Sequence, residues 1–216
     1  VTAVVASDSA ANLNTNLANA TTGLDALTLT VNGTTASASD LIALDAKTSV
    51  VVGATAITTI TGNAADIKTV LESTGINKAA NVNITITENT PATLAELIAI
   101  NNATTGILTL NAESISADYS GNVADVKAAF NGITTHTGKI EITGGTVNVA
   151  DINTVAGATS GEVTATVTPG AASILNVLTT NATDAITITV TAEAGAAATQ
   201  ASHLVALNTH TNKAIT

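Results

Sequence analysis

The sequence predicts an α/β fold, namely a βα-repeat solenoid of about eight turns with a parallel sheet on one side and short helices on the other. Three observations predict it. A helix-capping pattern recurs eight times, alternating Thr-rich segments lie between the copies, and aromatic residues make up only 1% of 216 residues. A core of Ala, Val, Ile and Leu suits the thin, regular layers that a repeat architecture stacks.

Five copies of the capping pattern consist of a small polar residue, two further residues, an acid and an aliphatic residue, and three weaker copies, at residues 9–13, 170–174 and 200–204, lack the acid. In such a capping box the first residue accepts from a free backbone N–H, and the acid bonds back to the N–H of the cap. We therefore interpret these acids as helix caps and not as catalytic or metal-binding groups. The pattern predicts one repeat array over residues 1–216, with helices starting near residues 9, 37, 63, 93, 122, 148, 170 and 200.

Each predicted helix carries one apolar stripe that starts at the aliphatic member of the pattern. From residue 13 to residue 204 this member recurs seven more times, a mean step of about 27 residues. A second aliphatic residue follows three or four positions later, as Leu44 follows Leu41 and Val177 follows Ile174. Short helices with one buried stripe are therefore expected along the whole array.

Strands are predicted between the helices because apolar residues alternate there with Thr. Strand, helix and strand at this spacing predict parallel neighbours. A second extended piece is expected after two helices, at residues 56–60 and 114–116. The main segments predicted as strands are 26–31, 49–52, 83–87, 107–110, 139–143, 163–167 and 185–190.

Two stretches, residues 38–48 and 58–68, resemble tandem repeats of very large cyanobacterial and other bacterial cell-surface proteins. Those chains are rich in Thr and Ala, free of Cys, and similar to adhesins or S-layer proteins. The resemblance implies a secreted or cell-surface location and a structural role. It implies no catalytic residues.

Composition excludes several functions. The net charge is −10 and Arg is absent, so a nucleic-acid partner is not expected. The sequence contains no run of about 18 apolar residues, so membrane insertion is not expected. The sequence has no Cys, no phosphate-binding loop and no nucleophile motif, so we expect neither an enzyme nor a cofactor. His136, His203 and His210 lack the spacing of a metal site. We expect loop acids such as Asp118 and Glu113 to be solvated surface groups, with weak Ca²⁺ binding as the alternative.

The favoured function is an extracellular filament, S-layer or adhesin stalk that assembles by end-to-end stacking. Both ends of the sequence are strand-like, and open strand edges pair with further chains. We expect a processed chain or a piece of a longer array, with itself as partner. The candidate polymer interface comprises Val1, Ala3, Val5, Ala214 and Ile215.

Two alternatives remain open at this point. One is ice binding by a Thr-rich sheet face, although Thr is also a common strand residue and Glu141 interrupts the array. The other is a ligand-binding adhesin module, for which Tyr119 is the one exposed-aromatic candidate. The predicted Thr face comprises Thr28, Thr30, Thr85, Thr87, Thr187 and Thr189, with Thr109, Thr164 and Thr166 continuing it.

Overall fold

A computed structural model describes residues 2–20, 25–192 and 201–216. The chain forms two compact units, Val1–Glu113 and Ser114–Thr216. In the described residues every strand pair is parallel, and short helices alternate with the strands. The predicted class, an α/β fold with parallel sheets, is confirmed. A single array over residues 1–216 stays a prediction.

The first unit contains a four-stranded sheet and two two-stranded sheets. Its sheets have the strand orders β3-β5-β7-β8, β1-β2 and β4-β6. Successive helices pack against one another along the unit. The strands are β1 (Thr2–Val4), β2 (Ala26–Thr28), β3 (Thr35–Ser37), β4 (Val52–Gly53), β5 (Thr59–Gly62), β6 (Ile76–Asn77), β7 (Asn83–Ile86) and β8 (Leu108–Thr109). The helices are α1 (Ala10–Asn16), α2 (Ala38–Asp45), α3 (Ala64–Glu72) and α4 (Leu94–Ala103).

The strands of the first unit pair at a constant offset. Ala36 lies opposite Ile60, Ile60 opposite Ile84, and Ile84 opposite Leu108, so each step is 24 residues. The same offset joins β1 to β2 and β4 to β6. Because side chains alternate between the two faces of a strand, this register places like residues in rows across the sheet. Ala36, Ile60 and Ile84 form a buried row.

The boundary between the two units lies within α5 (Ala112–Ser116), and the second unit begins at Ser114. It contains a four-stranded sheet of order β13-β11-β10-β9 and a two-stranded sheet of β12 and β14. Its strands are β9 (Tyr119–Gly121), β10 (Ile140–Val147), β11 (Val163–Val167), β12 (Gly170–Ala171), β13 (Ala185–Thr187) and β14 (Val190–Thr191). Its helices are α6 (Val123–Ala129), α7 (Val149–Ala156), α8 (Ala172–Leu175) and α9 (Ala201–Leu207).

The register of the second unit varies. Tyr119 pairs with Ile140 and Ala165 with Ile186, both at an offset of 21 residues, whereas Ile140 pairs with Val163 at 23. The β10–β11 pair also shifts register between Glu141 and Thr146. The extra residues of β10 have no paired residue in β11 there, as in a β-bulge.

The helix caps follow the sequence pattern with one difference in chemistry. Side chains of the six cap residues accept hydrogen bonds from the backbone N–H three residues later. Only Glu96 also reaches back to the N–H of its cap residue, Thr93. An Asp side chain is one methylene shorter, so Asp66 instead accepts from the side chain of its cap residue, Asn63. The six cap residues are Ser9, Ser37, Asn63, Thr93, Asn122 and Asn148.

The pattern is wrong at the weak copy that starts at residue 170, whereas the weak copy at Ser9 is confirmed. In α8 the cap residue Ala171 has no side-chain hydrogen bond, and the helix is rotated relative to the prediction. Ile174 is 63% exposed and Val177, just beyond α8, is 60% exposed, whereas Leu175 and Leu178 are buried. Without a polar cap residue, nothing in an apolar run fixes which side chain faces inward.

Two further expectations need correction or lie outside the structure. Leu204 in α9 is 38% exposed, and Leu207 is the buried residue of that helix. Residues 114–116, expected to be extended, belong to α5. The predicted cap residue Gln200 lies outside the described residues.

Candidate functional site

Buried threonines anchor the corners at which helices of the first unit return to the sheet. The Thr104 hydroxyl donates to the Val82 carbonyl oxygen at 2.6 Å and accepts from the Gly106 N–H at 2.9 Å. The Thr48 hydroxyl likewise donates to the Leu27 carbonyl oxygen at 2.7 Å. A buried backbone group without a partner costs about 1–3 kcal/mol. These hydroxyls therefore stabilise the contact between one turn and the next.

The same corner recurs in the second unit. The Thr159 hydroxyl donates to the Gly138 carbonyl oxygen at 2.8 Å and accepts from the Gly161 N–H at 2.9 Å. The Thr211 hydroxyl donates to the Ile186 carbonyl oxygen at 2.6 Å. Both threonines are buried. The corner is therefore a shared device of the two units.

Glycine stands two residues after the corner side chain at four corners. A Cβ atom added to Gly106 would collide with the Val82 carbonyl oxygen, and one added to Gly161 would collide with that of Gly138. At Gly106, Gly138 and Gly161 the close approach of two backbones therefore requires glycine, whereas a Cβ atom at Gly75 would meet the Asp45 carboxylate. These corners were not predicted, although a Thr, Ser or His recurs in the sequence two residues before each Gly. The four glycines are Gly75, Gly106, Gly138 and Gly161.

His136 takes the corner position before Gly138 and is buried among aromatic rings. Its Nε2 lies 2.9 Å from the Ala117 carbonyl oxygen, and its Nδ1 lies 3.0 Å from the Thr159 hydroxyl oxygen. Its ring centroid lies 5.4 Å from that of Tyr119 and 4.8 Å from that of Phe130. Burial lowers the pKa of His136, opposed by the Ala117 carbonyl and the charge of Asp118. The neutral ring is thus the form that the core favours.

The outer face of the four-stranded sheet in the first unit carries an uncharged set of hydroxyls, which we call the hydroxyl face. Thr61, Thr85 and Thr109 lie opposite one another on three adjacent strands, and Thr35 lies opposite Thr59. All five side chains are exposed or partly exposed. Among the described residues, these hydroxyls make no hydrogen bond to another protein group. They are therefore free to bond water or a ligand.

The residues of the predicted Thr face belong to strands of different sheets. Thr28 lies in β2, which pairs with β1, whereas Thr85 lies in β7 of the four-stranded sheet of the first unit. Thr187 lies in β13 of the second unit. Thr30 pairs with Gly53 at the end of β4, Thr87 follows β7, and Thr189 lies between β13 and β14. One Thr-rich surface made by all of them stays a prediction.

The corresponding face of the second unit is charged. Lys139 forms a 3.8 Å ion pair with Glu162, and Glu141 is exposed beside them. These groups border a shallow groove of about 340 Å³ with Asp118 and Tyr119. Tyr119 is only 7% exposed, so it does not offer the ring surface expected of a glycan-binding module.

The residues considered for metal binding lie apart. Asp118 accepts from the Lys139 N–H at 2.8 Å, and Glu113 accepts from the Asn111 side chain at 3.1 Å. His210 Nδ1 lies 2.8 Å from the Thr180 carbonyl oxygen. Over residues 2–20, 25–192 and 201–216, no three His, Asp or Glu side chains gather as a cation site would require.

The predicted polymer-interface residues lie in the first and last segments of the sequence. Ala3 and Ala214 are exposed, and Val5 and Ile215 are partly exposed. Leu29 and Ile188, which lie beside Val5 and Ile215, are at most 1% exposed. Whether these residues form an interface stays a prediction. Val1 lies outside the described residues.

No protein-family model, curated protein or solved structure matches this chain. Among the helices of the described parts, none has the length and apolar character needed to cross a bilayer.

Proposed function

We propose that this chain is an extracellular structural protein that builds a cell-surface filament, S-layer or adhesin stalk by stacking end to end as a βα-solenoid. The interior supports this reading, because helices, strands and corners repeat along each unit. The absence of Cys and Arg and the acidic composition suit a stable surface component without a nucleic-acid partner.

The observation that carries the proposal is the constant 24-residue step across the four-stranded sheet of the first unit. It stacks like residues in buried rows, as repeat proteins do. Strand edges at the end of such a sheet pair with further chains, and identical contacts that do not close produce fibres.

Negative-stain electron microscopy of the purified 216-residue chain tests the proposal. We expect elongated particles or fibres that lengthen with protein concentration, because stacking is an association reaction. Discrete compact particles at every concentration would contradict a structural polymer.

Ice binding is a second candidate, favoured by the in-register hydroxyl face. Neighbouring strands lie about 4.8 Å apart, and residues two positions apart on one strand lie about 6.6 Å apart. The Thr side chains are stiff about χ1, so the hydroxyls and methyl groups form a rigid grid. No charged side chain lies within β3, β5, β7 or β8. Such a surface suits an ordered layer of water better than it suits an ionic ligand.

Ice shaping and thermal hysteresis measure this second candidate. Thr85→Lys places a long cation in the middle of the hydroxyl face and should abolish most of the activity without unfolding the sheet. Thr166→Lys is the matched control, because Thr166 is exposed on a strand of the second unit. Equal loss in both variants, or no activity in the unaltered chain, would exclude the hydroxyl face as an ice-binding surface.

A further inference from the structure

The sequence contains two Asn–Gly pairs, Asn32–Gly33 and Asn131–Gly132. An Asn that precedes Gly can react with its own backbone, because glycine has no Cβ atom to hinder the approach of its nitrogen to the Asn side chain. Asn is for this reason among the thermolabile residues of proteins. Gly33 and Gly132 have φ of 89° and 76°, and a Cβ atom added to either would contact nothing. Both pairs therefore lie in open loops that are exposed to water.

A hydrogen bond closes the loop around the second pair. The Ile133 N–H donates to the Phe130 carbonyl oxygen at 3.0 Å, so Asn131 and Gly132 are the central residues of a closed turn. Phe130 and Ile133 are 4% and 6% exposed, which anchors both ends of the turn in the core. Asn131 itself has a further interaction partner. A reaction that rotates the backbone of Asn131 and Gly132 must first break the bond across the turn.

The loop around the first pair is not closed in this way. Among the described residues, neither the Gly33 N–H nor the Thr34 N–H donates a hydrogen bond. The Asn32 N–H donates to the Asp8 carbonyl oxygen at 2.9 Å, which holds the backbone of Asn32 in place. The Asn32 side-chain Nδ2 lies 3.4 Å from the Ser7 carbonyl oxygen, longer than an ordinary hydrogen bond. The Gly33 nitrogen is therefore free to approach the Asn32 side chain.

We propose that Asn32 is a self-modification site at which the folded chain slowly converts asparagine to isoaspartate and aspartate, with water as the co-reactant. The Gly33 nitrogen loses its proton to water and attacks the side-chain carbon Cγ of Asn32. A new N–Cγ bond forms, the Cγ–Nδ2 bond breaks, and Nδ2 takes up a proton and leaves as ammonia. Water then opens the resulting succinimide ring: cleavage at Cγ produces aspartate, and cleavage at the main-chain carbonyl carbon produces isoaspartate. The net change is uptake of one water and release of one ammonia, and nothing is oxidised or reduced.

The modified pair lies in the link between Val31 and β3, where it affects the sheet of the first unit. On one side of the pair, the Val31 N–H donates to the Gly53 carbonyl oxygen at 2.8 Å. On the other side, the Thr34 carbonyl oxygen accepts from the Thr58 and Thr59 N–H groups at 2.9 Å and 3.0 Å. Isoaspartate adds one methylene to the main chain between these two anchors. The hydrogen bonds to Thr34 therefore weaken, and the β3 edge of the four-stranded sheet opens more often.

Storage of the purified 216-residue chain at mildly alkaline pH, followed by proteolysis and tandem mass spectrometry, measures both pairs in one sample. Asn32 should convert roughly five to ten times faster than Asn131, because Asn131 reacts only when the Phe130–Ile133 hydrogen bond is open. In the chain held unfolded in urea, the two pairs should convert at nearly equal rates. No conversion at Asn32, equal rates in the folded chain, or the same difference in urea would overturn selection of Asn32 by the fold.

Asn32→Asp is the matched control for the structural consequence, since it adds the charge without lengthening the main chain. Hydrogen exchange of the Thr58 and Thr59 N–H groups should be faster in the isoaspartate-containing fraction than in Asn32→Asp, whereas exchange in the second unit should be the same in both. Asn32→Gln should stay unmodified on storage, because its longer side chain closes a six-membered ring far less readily, and should keep the exchange pattern of the fresh chain. Equal exchange at Thr58 and Thr59 in the isoaspartate fraction and in Asn32→Asp would overturn the effect on the sheet.

Discussion

The two units build the same kind of layer with different regularity. In the first unit all three steps across the four-stranded sheet are 24 residues, and its outer face is uncharged. In the second unit the steps vary, and the outer face carries Lys139, Glu141 and Glu162. Regular rows of like side chains arise only where the turn length is constant. The difference shows that the fold requires the corners and the buried rows, and tolerates variation elsewhere.

The irregularity of the second unit has a local cause. Between Glu141 and Thr146 the register of β10 shifts relative to β11. Gly144 and Gly145 lie there with φ of 92° and 116°, a conformation that favours glycine. The extra residues bend out of the ladder, and the inward residues Ile142 and Val147 on either side remain buried. A bulge thus absorbs the extra residues between these two buried positions.

The largest expected loss of stability comes from substituting the corner glycines, which both units share. Gly106→Ala in the first unit and Gly161→Ala in the second each push a Cβ atom into a carbonyl oxygen of the preceding turn. Overpacking of this kind should cost about 3 kcal/mol of the free energy of unfolding. Denaturant titration gives the total loss, and hydrogen exchange followed by mass spectrometry shows which unit opens.

The control for both variants is Gly157→Ala at the end of α7. There φ is −71°, and the nearest atom to an added Cβ lies at 3.4 Å, an ordinary contact. Alanine should be neutral or stabilising by up to about 1 kcal/mol. If Gly106→Ala and Gly161→Ala behave like Gly157→Ala, the corners do not hold the turns together.

A smaller effect is expected in the pH dependence of stability, which should differ between the two units. All three histidines lie in the second unit, and burial lowers the pKa of His136. Its stabilising contribution is complete above the unfolded pKa of about 6.5 and is lost as the pH falls below it toward the folded pKa. The melting temperature followed by Tyr119 fluorescence should therefore fall between pH 7 and pH 5.

His136→Gln tests whether this residue is the cause. The variant will be less stable at every pH, because it loses the ring contacts that His136 makes with Tyr119 and Phe130. It should nevertheless show a smaller decrease between pH 7 and pH 5 than the unaltered chain. An equal decrease would assign the pH dependence to other groups.

Local chemistry determined what the sequence could predict. Polar caps such as Asn63 and Thr93 mark helix starts, and the aliphatic residues that follow them, Ile67 and Leu97, are fully buried. Where Ala171 occupies the cap position, the pattern predicts Ile174 as the buried residue, but Leu175 is buried and Ile174 is exposed. A side chain that satisfies a backbone group leaves a trace in the sequence, and an apolar run does not.

The candidate surfaces were predictable only in part. The polymer interface at Val5 and Ile215 stays a prediction. The 69% exposure of Val205 was hidden, because one helix pattern does not show which face lacks a neighbour. The hydroxyl face was hidden for a different reason: Thr35 and Thr59 belong to the second strand of their turns, and pairing in space is not written in local alternation.

The constant step of the first unit also has a consequence for its gene. Removal or duplication of 24 codons within it exchanges whole turns, so Ala36, Ile60 and Ile84 are interchangeable members of one row. Insertion or deletion of one codon within a strand instead turns the later residues of that strand to the opposite face of the sheet. Recombination between neighbouring repeats can therefore lengthen or shorten this unit in steps of one turn, while smaller insertions and deletions are confined to the loops.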